Sequence, residues 1–181
     1  SLRIQGERHL WTADAIANLQ QAVRTNDAVA FQRYVQGIDN QKDRPVTLRS
    51  LLSFTPGVPV SLEEVESAEA IIKRFVVSAM SFGSLSREAH ETIATAMNRL
   101  GASSNCGEGG EDPARYRKQA DGRDLRSRVK QIASGRFGVT TEYVVNADEL
   151  QIKVAQGAKP GEGGQLPGHK VSEEIARVRH T

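Results

Sequence analysis

Apolar residues in the first forty positions recur at helical spacing. Thr12 is placed to cap a helix whose stripe is Ala15, Ile16, Leu19 and Val23. Asn26 or Asp27 can start a second helix with Phe31, Val35 and Ile38 on one face, so the pair reads as a helical hairpin. Asp39 to Pro45 is a polar connector. Leu48, Leu51 and Leu52 allow one short helical stretch, and Thr55-Pro-Gly-Val-Pro59 is a turn-rich link. Residues 1–60 are therefore expected to form a helical linker or packing segment, and residues 61–181 a separate body.

In that body the pattern changes. Ser61-Leu-Glu-Glu64 is a capping box and predicts a short helix to about Ala68. Phe75-Val-Val-Ser-Ala-Met80 is a compact apolar strand, ended by the polar turn Ser81-Phe-Gly-Ser84. Ser84 or Ser86 caps the next helix, with Ala89, Ile93, Met97 and Leu100 on its buried face and Gly101 as its stop. Ala102 to Asn105 is a second strand, which completes a βαβ unit. Residues 111–139 are a polar, basic excursion that reads as a solvated face, with Val129 and Ile132 marking one short element. Thr140 or Thr141 can cap a helix through Tyr143 to Val145. In Leu150-Gln-Ile-Lys-Val154 the three apolar residues fall on one side of an extended chain and Gln151 and Lys153 on the other, which predicts a buried third strand. Ser172 to Arg179 is helical again.

Composition narrows the class without naming a function. Only 38% of the 181 residues are hydrophobic and 5% aromatic, so the core is lean. A net charge of +2, from 24 basic and 22 acidic residues, leaves no nucleic-acid footprint. No apolar run approaches the ~18 residues of a membrane span, and no signal-peptide pattern opens the chain. The single cysteine, Cys106, rules out an internal disulfide framework and an iron–sulfur cluster held by these residues alone. It reads as a small buried thiol rather than a nucleophile, since no His–Asp pattern accompanies it. His90 lies within a helix and His169 beyond a loop, and no metal-ligand spacing appears.

The most informative stretch is Gln156-Gly-Ala-Lys-Pro-Gly-Glu-Gly-Gly-Gln-Leu-Pro-Gly168. Five glycines and two prolines between Gly157 and Gly168 exclude a helix and let the backbone approach a ligand closely. Lys159 is suited to a carboxylate or phosphate. This stretch resembles the synthase-domain loop of the glutamate synthase family, large subunit. Ser78-Ala-Met-Ser-Phe-Gly-Ser-Leu-Ser86 and Ser103-Ser-Asn-Cys-Gly-Glu-Gly-Gly-Glu-Asp-Pro-Ala-Arg-Tyr116 resemble two further segments of that family, in the same order. The three cover roughly residues 75–170.

The resemblance implies an α/β fold: the first strands of a partial FMN-binding (β/α)8 TIM barrel, preceded by a helical linker. A whole barrel takes ~250 residues, so the chain is expected to be one inactive piece of a larger polypeptide. In such barrels the site lies at the C-terminal ends of the strands, where all three motifs fall. The resemblance sets Ser78, Ala79, Met80 and Ser81 against the FMN ring. Lys153 is expected to stabilise reduced flavin, or else to pair with a neighbouring carboxylate, and Gln151 to hydrogen-bond the ring edge. Lys159 and Gln165 are expected to hold the carboxylates of 2-oxoglutarate. Glu108, named with Lys159 as a candidate catalytic residue, would orient ammonia or the imine, or hydrogen-bond the cofactor.

The implied reaction is FMN-dependent reductive amination of 2-oxoglutarate, through 2-iminoglutarate, to L-glutamate. The implied partners are an amidotransferase domain that releases ammonia from glutamine, the rest of the barrel with a [3Fe-4S] cluster, and an electron source. That source is either ferredoxin or a small NADPH-dependent subunit carrying FAD. The implied location is cytoplasmic, or a plastid for a ferredoxin-dependent form. Two other readings stay open: a different flavin barrel, as in IMP dehydrogenase-like or type 2 isopentenyl-diphosphate isomerase-like proteins, and a non-catalytic interaction fragment.

Overall fold

The computed structural model describes residues 6–42, 45–133, 137–154 and 168–180. The chain divides into two compact units, Ser1–Pro59 and Val60–Thr181.

The first unit is the hairpin of α1 (Ala13–Thr25) and α2 (Ala28–Asp39). Thr12 caps α1 through its hydroxyl, and Asp27 caps α2 by accepting from the Val29 and Ala30 amides. Asn26 is not a cap for α2; it ends α1 in the left-handed region at φ 53°. The buried positions are the alanines Ala15, Ala22 and Ala30, while Ile16, Val23 and Phe31 are exposed. Small residues let the two helices approach closely, and of the larger apolar groups of the expected stripes Leu19, Val35 and Ile38 are half-buried. A single 3-10 turn, Leu48–Leu51, follows.

In the second unit the capping box does not form. Ser61 makes no side-chain cap, and the segment closes after one 3-10 turn, Leu62–Glu64. The helix α3 (Ala68–Ile72) instead starts from Ser67. The strand expected over residues 75–80 shrinks to β1 (Val76–Val77). Ser86 caps α4 (Arg87–Leu100), which Gly101 ends at φ 76°. The deepest residues of α4 are His90 and Ala94, and Leu100 is exposed. After α4 comes β2 (Ser103–Ser104), parallel to β1, so the βαβ unit is present.

The basic excursion differs most from expectation. It contains a strand, β3 (Val129–Ile132), which pairs in parallel with β4 (Glu149–Ile152) from Val129 opposite Glu149 to Ile132 opposite Ile152. One further parallel bridge joins Asn105 to Val129. Consecutive parallel neighbours thus run β1, β2, β3, β4, with a short 3-10 turn (Pro113–Tyr116) and α5 (Thr141–Val145, capped by Thr140) in the connections. Among the described residues the result is mixed α/β, with two two-stranded parallel sheets, β1–β2 and β3–β4, joined by that one bridge. The β4 strand is not buried: Leu150 and Ile152 are exposed, as is Val154 beyond it. The last described helix is α6 (Glu173–Arg179), capped by Ser172. No described helix is long and apolar enough to cross a membrane.

Candidate functional site

The C-terminal ends of β1, β2 and β4 meet in one place, and glycine is the reason. After β2 the chain turns through Gly107 at φ 70°, and a Cβ there would stand 2.6 Å from the Ser81 backbone nitrogen and 2.8 Å from the Met80 carbonyl carbon. Only a residue without a side chain allows that approach. The Asn105 carboxamide holds the turn by accepting from the Gly107 N–H at 2.9 Å. On the β1 side, the Ser81 carbonyl accepts from the Ser84 amide at 3.1 Å and from its hydroxyl at 2.6 Å.

Three amide side chains then link β2, β3 and β4. Gln151 Oε1 accepts from Asn105 Nδ2 and from Gln131 Nε2, each at 2.7 Å. With its oxygen engaged twice, the Gln151 amide nitrogen is turned away from both partners. One residue beyond β4, Lys153 Nζ lies 3.6 Å from Glu108 Oε2. Glu108 is 5% exposed, and Oε2 is buried without a hydrogen bond among the described residues. Of the two expectations for Lys153, the neighbouring carboxylate is therefore the contact present. Ser81 is buried, Met80 half-buried, and Ser78 and Ala79 exposed at the strand mouth. Lys159 and Gln165 lie outside the described residues.

Behind these turns sits a buried ionic cluster that the charge pattern does not announce. Glu111 Oε2 accepts from Lys130 Nζ at 2.6 Å, and both side chains are fully buried. Glu111 Oε1 meets Arg115 Nη2 at 3.1 Å and accepts from the Ser127 amide at 3.0 Å. Arg115 donates further to the Leu125 carbonyl from Nε and Nη2, and its Nη1 lies 2.5 Å from His90 Nδ1. Lys130 also stands over the rings of Tyr116 and Tyr143. Arg115 and Lys130 are thus not part of a solvated face: each is satisfied inside the fold, as a buried charge must be.

Burial lowers the affinity of His90 for a proton, and the Arg115 charge lowers it further. Burial also pushes the Cys106 thiol up to about 11, with the Glu111 charge acting in the same direction. That thiol lies 3.0 Å from the Tyr143 hydroxyl, which donates to the Gln131 carbonyl at 2.8 Å. Tyr143 and Tyr116 are themselves held protonated, chiefly by burial. Cys106 is therefore an inert packing thiol, as its sequence context suggests. Among the described residues, no group of three or more His, Cys, Asp or Glu side chains is placed to hold a metal ion.

Helix α6 is tied to the same region. Arg177 donates to Asp112 Oδ2 at 2.7 Å, and Arg179 donates to the Phe82 carbonyl from Nε and Nη2. Sequence reading misses Asn105, Gln131, Glu111, Arg115, Lys130 and His90. The four-residue spacing of Glu111 and Arg115 is a signal for their pairing. His90 carries none, because its partners come from three distant segments.

The family model described as a conserved region in glutamate synthase matches residues 9–181. The large chain of glutamate synthase [NADPH] from Bacillus subtilis is 59% identical over 175 residues, 96% of this chain and 11% of that protein. Glutamate synthase [NADH] from Saccharomyces cerevisiae is 54% identical over 178 residues, 97% of this chain and 8% of that protein. The chloroplastic ferredoxin-dependent glutamate synthase of Spinacia oleracea is 48% identical over 195 residues, 97% of this chain and 12% of that protein. The chain spans about a tenth of the length of these curated relatives. With the family model covering nearly every residue and half or more of the positions shared with several relatives, this chain belongs to the glutamate synthase family.

Proposed function

We propose that residues 61–181 form the opening part of an FMN-binding (β/α)8 synthase domain, and that the whole protein makes L-glutamate from 2-oxoglutarate and glutamine-derived ammonia. The observation that carries the reading is the convergence of three strand ends: the Met80–Ser81 backbone against Gly107, Gln151 bonded to Asn105, and Lys153 beside Glu108. Two parallel strand pairs bridged at Asn105 and Val129, with the conspicuous residues at their C-terminal ends, suit the wall of such a barrel.

The residues present fit a flat, partly anionic ring. Small, exposed side chains at Ser78 and Ala79 leave backbone groups accessible beside the buried Ser81, Gln151 has amide donors to offer, and Lys153 brings a cation to a carboxylate whose buried Oε2 lacks a hydrogen bond. FMN bound there would supply the hydride that reduces the imine. In this reading Ser78, Ala79, Met80 and Ser81 hold the ring face, Gln151 its polar edge, and Lys153 balances negative charge near that edge. Glu108 orients ammonia or the imine, or hydrogen-bonds the cofactor, and Lys159 and Gln165 fix the two substrate carboxylates. The [3Fe-4S] cluster, the amidotransferase centre, and the FAD subunit or ferredoxin that feeds electrons belong to other parts of the assembly.

The test is Lys153→Met in the complete polypeptide. The flavin midpoint potential should fall, because reduced anionic flavin loses its cation; an unchanged potential sinks the assignment of Lys153. Reoxidation of reduced flavin should require both glutamine and 2-oxoglutarate. Reoxidation by neither would favour another flavin-barrel chemistry.

A further inference from the structure

The protonation of His90 is fixed by its neighbours. Nε2 faces two carbonyl oxygens, Met80 O at 2.9 Å and Cys106 O at 3.3 Å, and a carbonyl only accepts. Nε2 must therefore carry the hydrogen. Nδ1 faces Arg115 Nη1 at 2.5 Å, and a guanidinium only donates, so Nδ1 must be bare. His90 is 4% exposed, and both of its nitrogens are engaged by protein groups.

The charges around it agree. Glu111 and Arg115, from the segment after β2, face His90, as does the Cys106 carbonyl; Lys130 of β3 binds the other oxygen of Glu111. The turn after β1 contributes the Phe82 ring, centred 6.4 Å from the imidazole, and no charge. One carboxylate already balances two cations there, and a protonated His90 would add a third.

The two carbonyls that share the His90 proton flank the close backbone approach where Gly107, with no room for a Cβ, meets Met80 and Ser81. We propose that His90 is a positioning residue: locked as the neutral Nε2–H tautomer by Arg115, it clamps the turns after β1 and β2 with one N–H and sets their spacing. The link to cofactor binding rests on the reading of those turns as a flavin shelf.

The experiment uses the complete polypeptide with His90→Leu, His90→Asn and His90→Gln. Two quantities are read: amide hydrogen exchange over residues 80–82 and 106–108, and the dissociation constant for FMN. Loss of a buried hydrogen-bond clamp should speed exchange in both turns and weaken FMN binding, each by about tenfold or more, in the Leu and Asn variants. Gln reaches as far as Nε2 and offers both a donor and an acceptor, so it should stay within about threefold of the parent. If His90→Leu does not fold, the Asn and Gln pair decides alone. Equal behaviour of Asn and Gln, or unchanged exchange in both turns, overturns the proposal. A parent protein that binds no FMN would sink the flavin reading, while the exchange measurement would still judge the clamp.

Discussion

Replacing Lys130 with methionine removes one charge from a place water does not reach. The ammonium makes two hydrogen bonds, to Glu111 Oε2 at 2.6 Å and to the Ser127 carbonyl at 2.8 Å, and both ionic partners are fully buried. Methionine keeps most of the volume, so little is lost in packing. What remains is Glu111 Oε2 without its partner, while Oε1 keeps Arg115 and the Ser127 amide. Removing one member of a buried pair costs about 3–5 kcal/mol, because the other charge is left uncompensated. Retention of Arg115 places the expected loss near the lower end, about 3 kcal/mol. With a urea slope on the order of 2 kcal/mol per molar, the unfolding midpoint should fall by about 1.5 M. Pulse proteolysis in urea, following cleavage within residues 111–133 of the complete polypeptide, reads that transition. The Glu111→Gln, Lys130→Met double variant should cost less than the sum of the single changes by about 1–3 kcal/mol, because the Lys130–Glu111 pair then leaves no charge of its own stranded, although Arg115 loses its carboxylate. A loss below about 1 kcal/mol for Lys130→Met would refute the reasoning, since a closed ion pair could not be broken so cheaply.

Gly107→Ala should destabilise the protein by about 2–5 kcal/mol, the sum of a left-handed backbone and a collision with the Ser81 nitrogen. Gly122→Ala is the control: its φ is 80° but nothing lies within 4 Å, so only about 1–2 kcal/mol is expected; equal losses in denaturant unfolding would contradict the contact. Cys106, with burial raising its thiol to about 11, should react with iodoacetamide at pH 8 about a hundredfold more slowly in the folded protein than in the unfolded chain. Acid should act in two stages. The lowered His90 value, set first by burial and then by Arg115, gives stability that is complete above 6.5 and lost as pH falls from there toward the folded value. For Asp112 burial works to raise the value, but the Ala114 amide, Arg177 and Arg87 outweigh it; its contribution is complete above 3.8 and lost as pH falls through the lowered value. His90→Gln should abolish the upper stage of an acid-unfolding curve and leave the lower one.

Local signals carried much of the fold. Thr12, Ser86 and Thr140 cap the helices their positions suggest, and Gly101 stops α4, because capping depends on a side chain and an amide three residues away. Ser61 shows the weakness of the same rule: the pattern is present, but the chain makes one 3-10 turn and the hydroxyl caps nothing. Strand β3 was hidden because Lys130 and Gln131 break the apolar run, and their polarity is explained only by partners at Glu111 and Gln151. The candidate site divides in the same way. The pairing of Lys153 with a carboxylate was an open alternative from one strand's alternation, and Glu108 emerges as that partner only when β2 and β4 are brought to the same level. Asn105 and His90 act through residues at sequence separations of 46 and 25, beyond the reach of any periodic pattern.

The exposed apolar side of β4 has a practical meaning. Leu150, Ile152 and Val154 are oily groups along a ladder that, among the described residues, pairs only with β3. A bare ladder edge beside such groups accepts any extended chain that offers itself. Made in isolation, this stretch should form insoluble multimers, and a recombinant product would benefit from charged gatekeepers on β4.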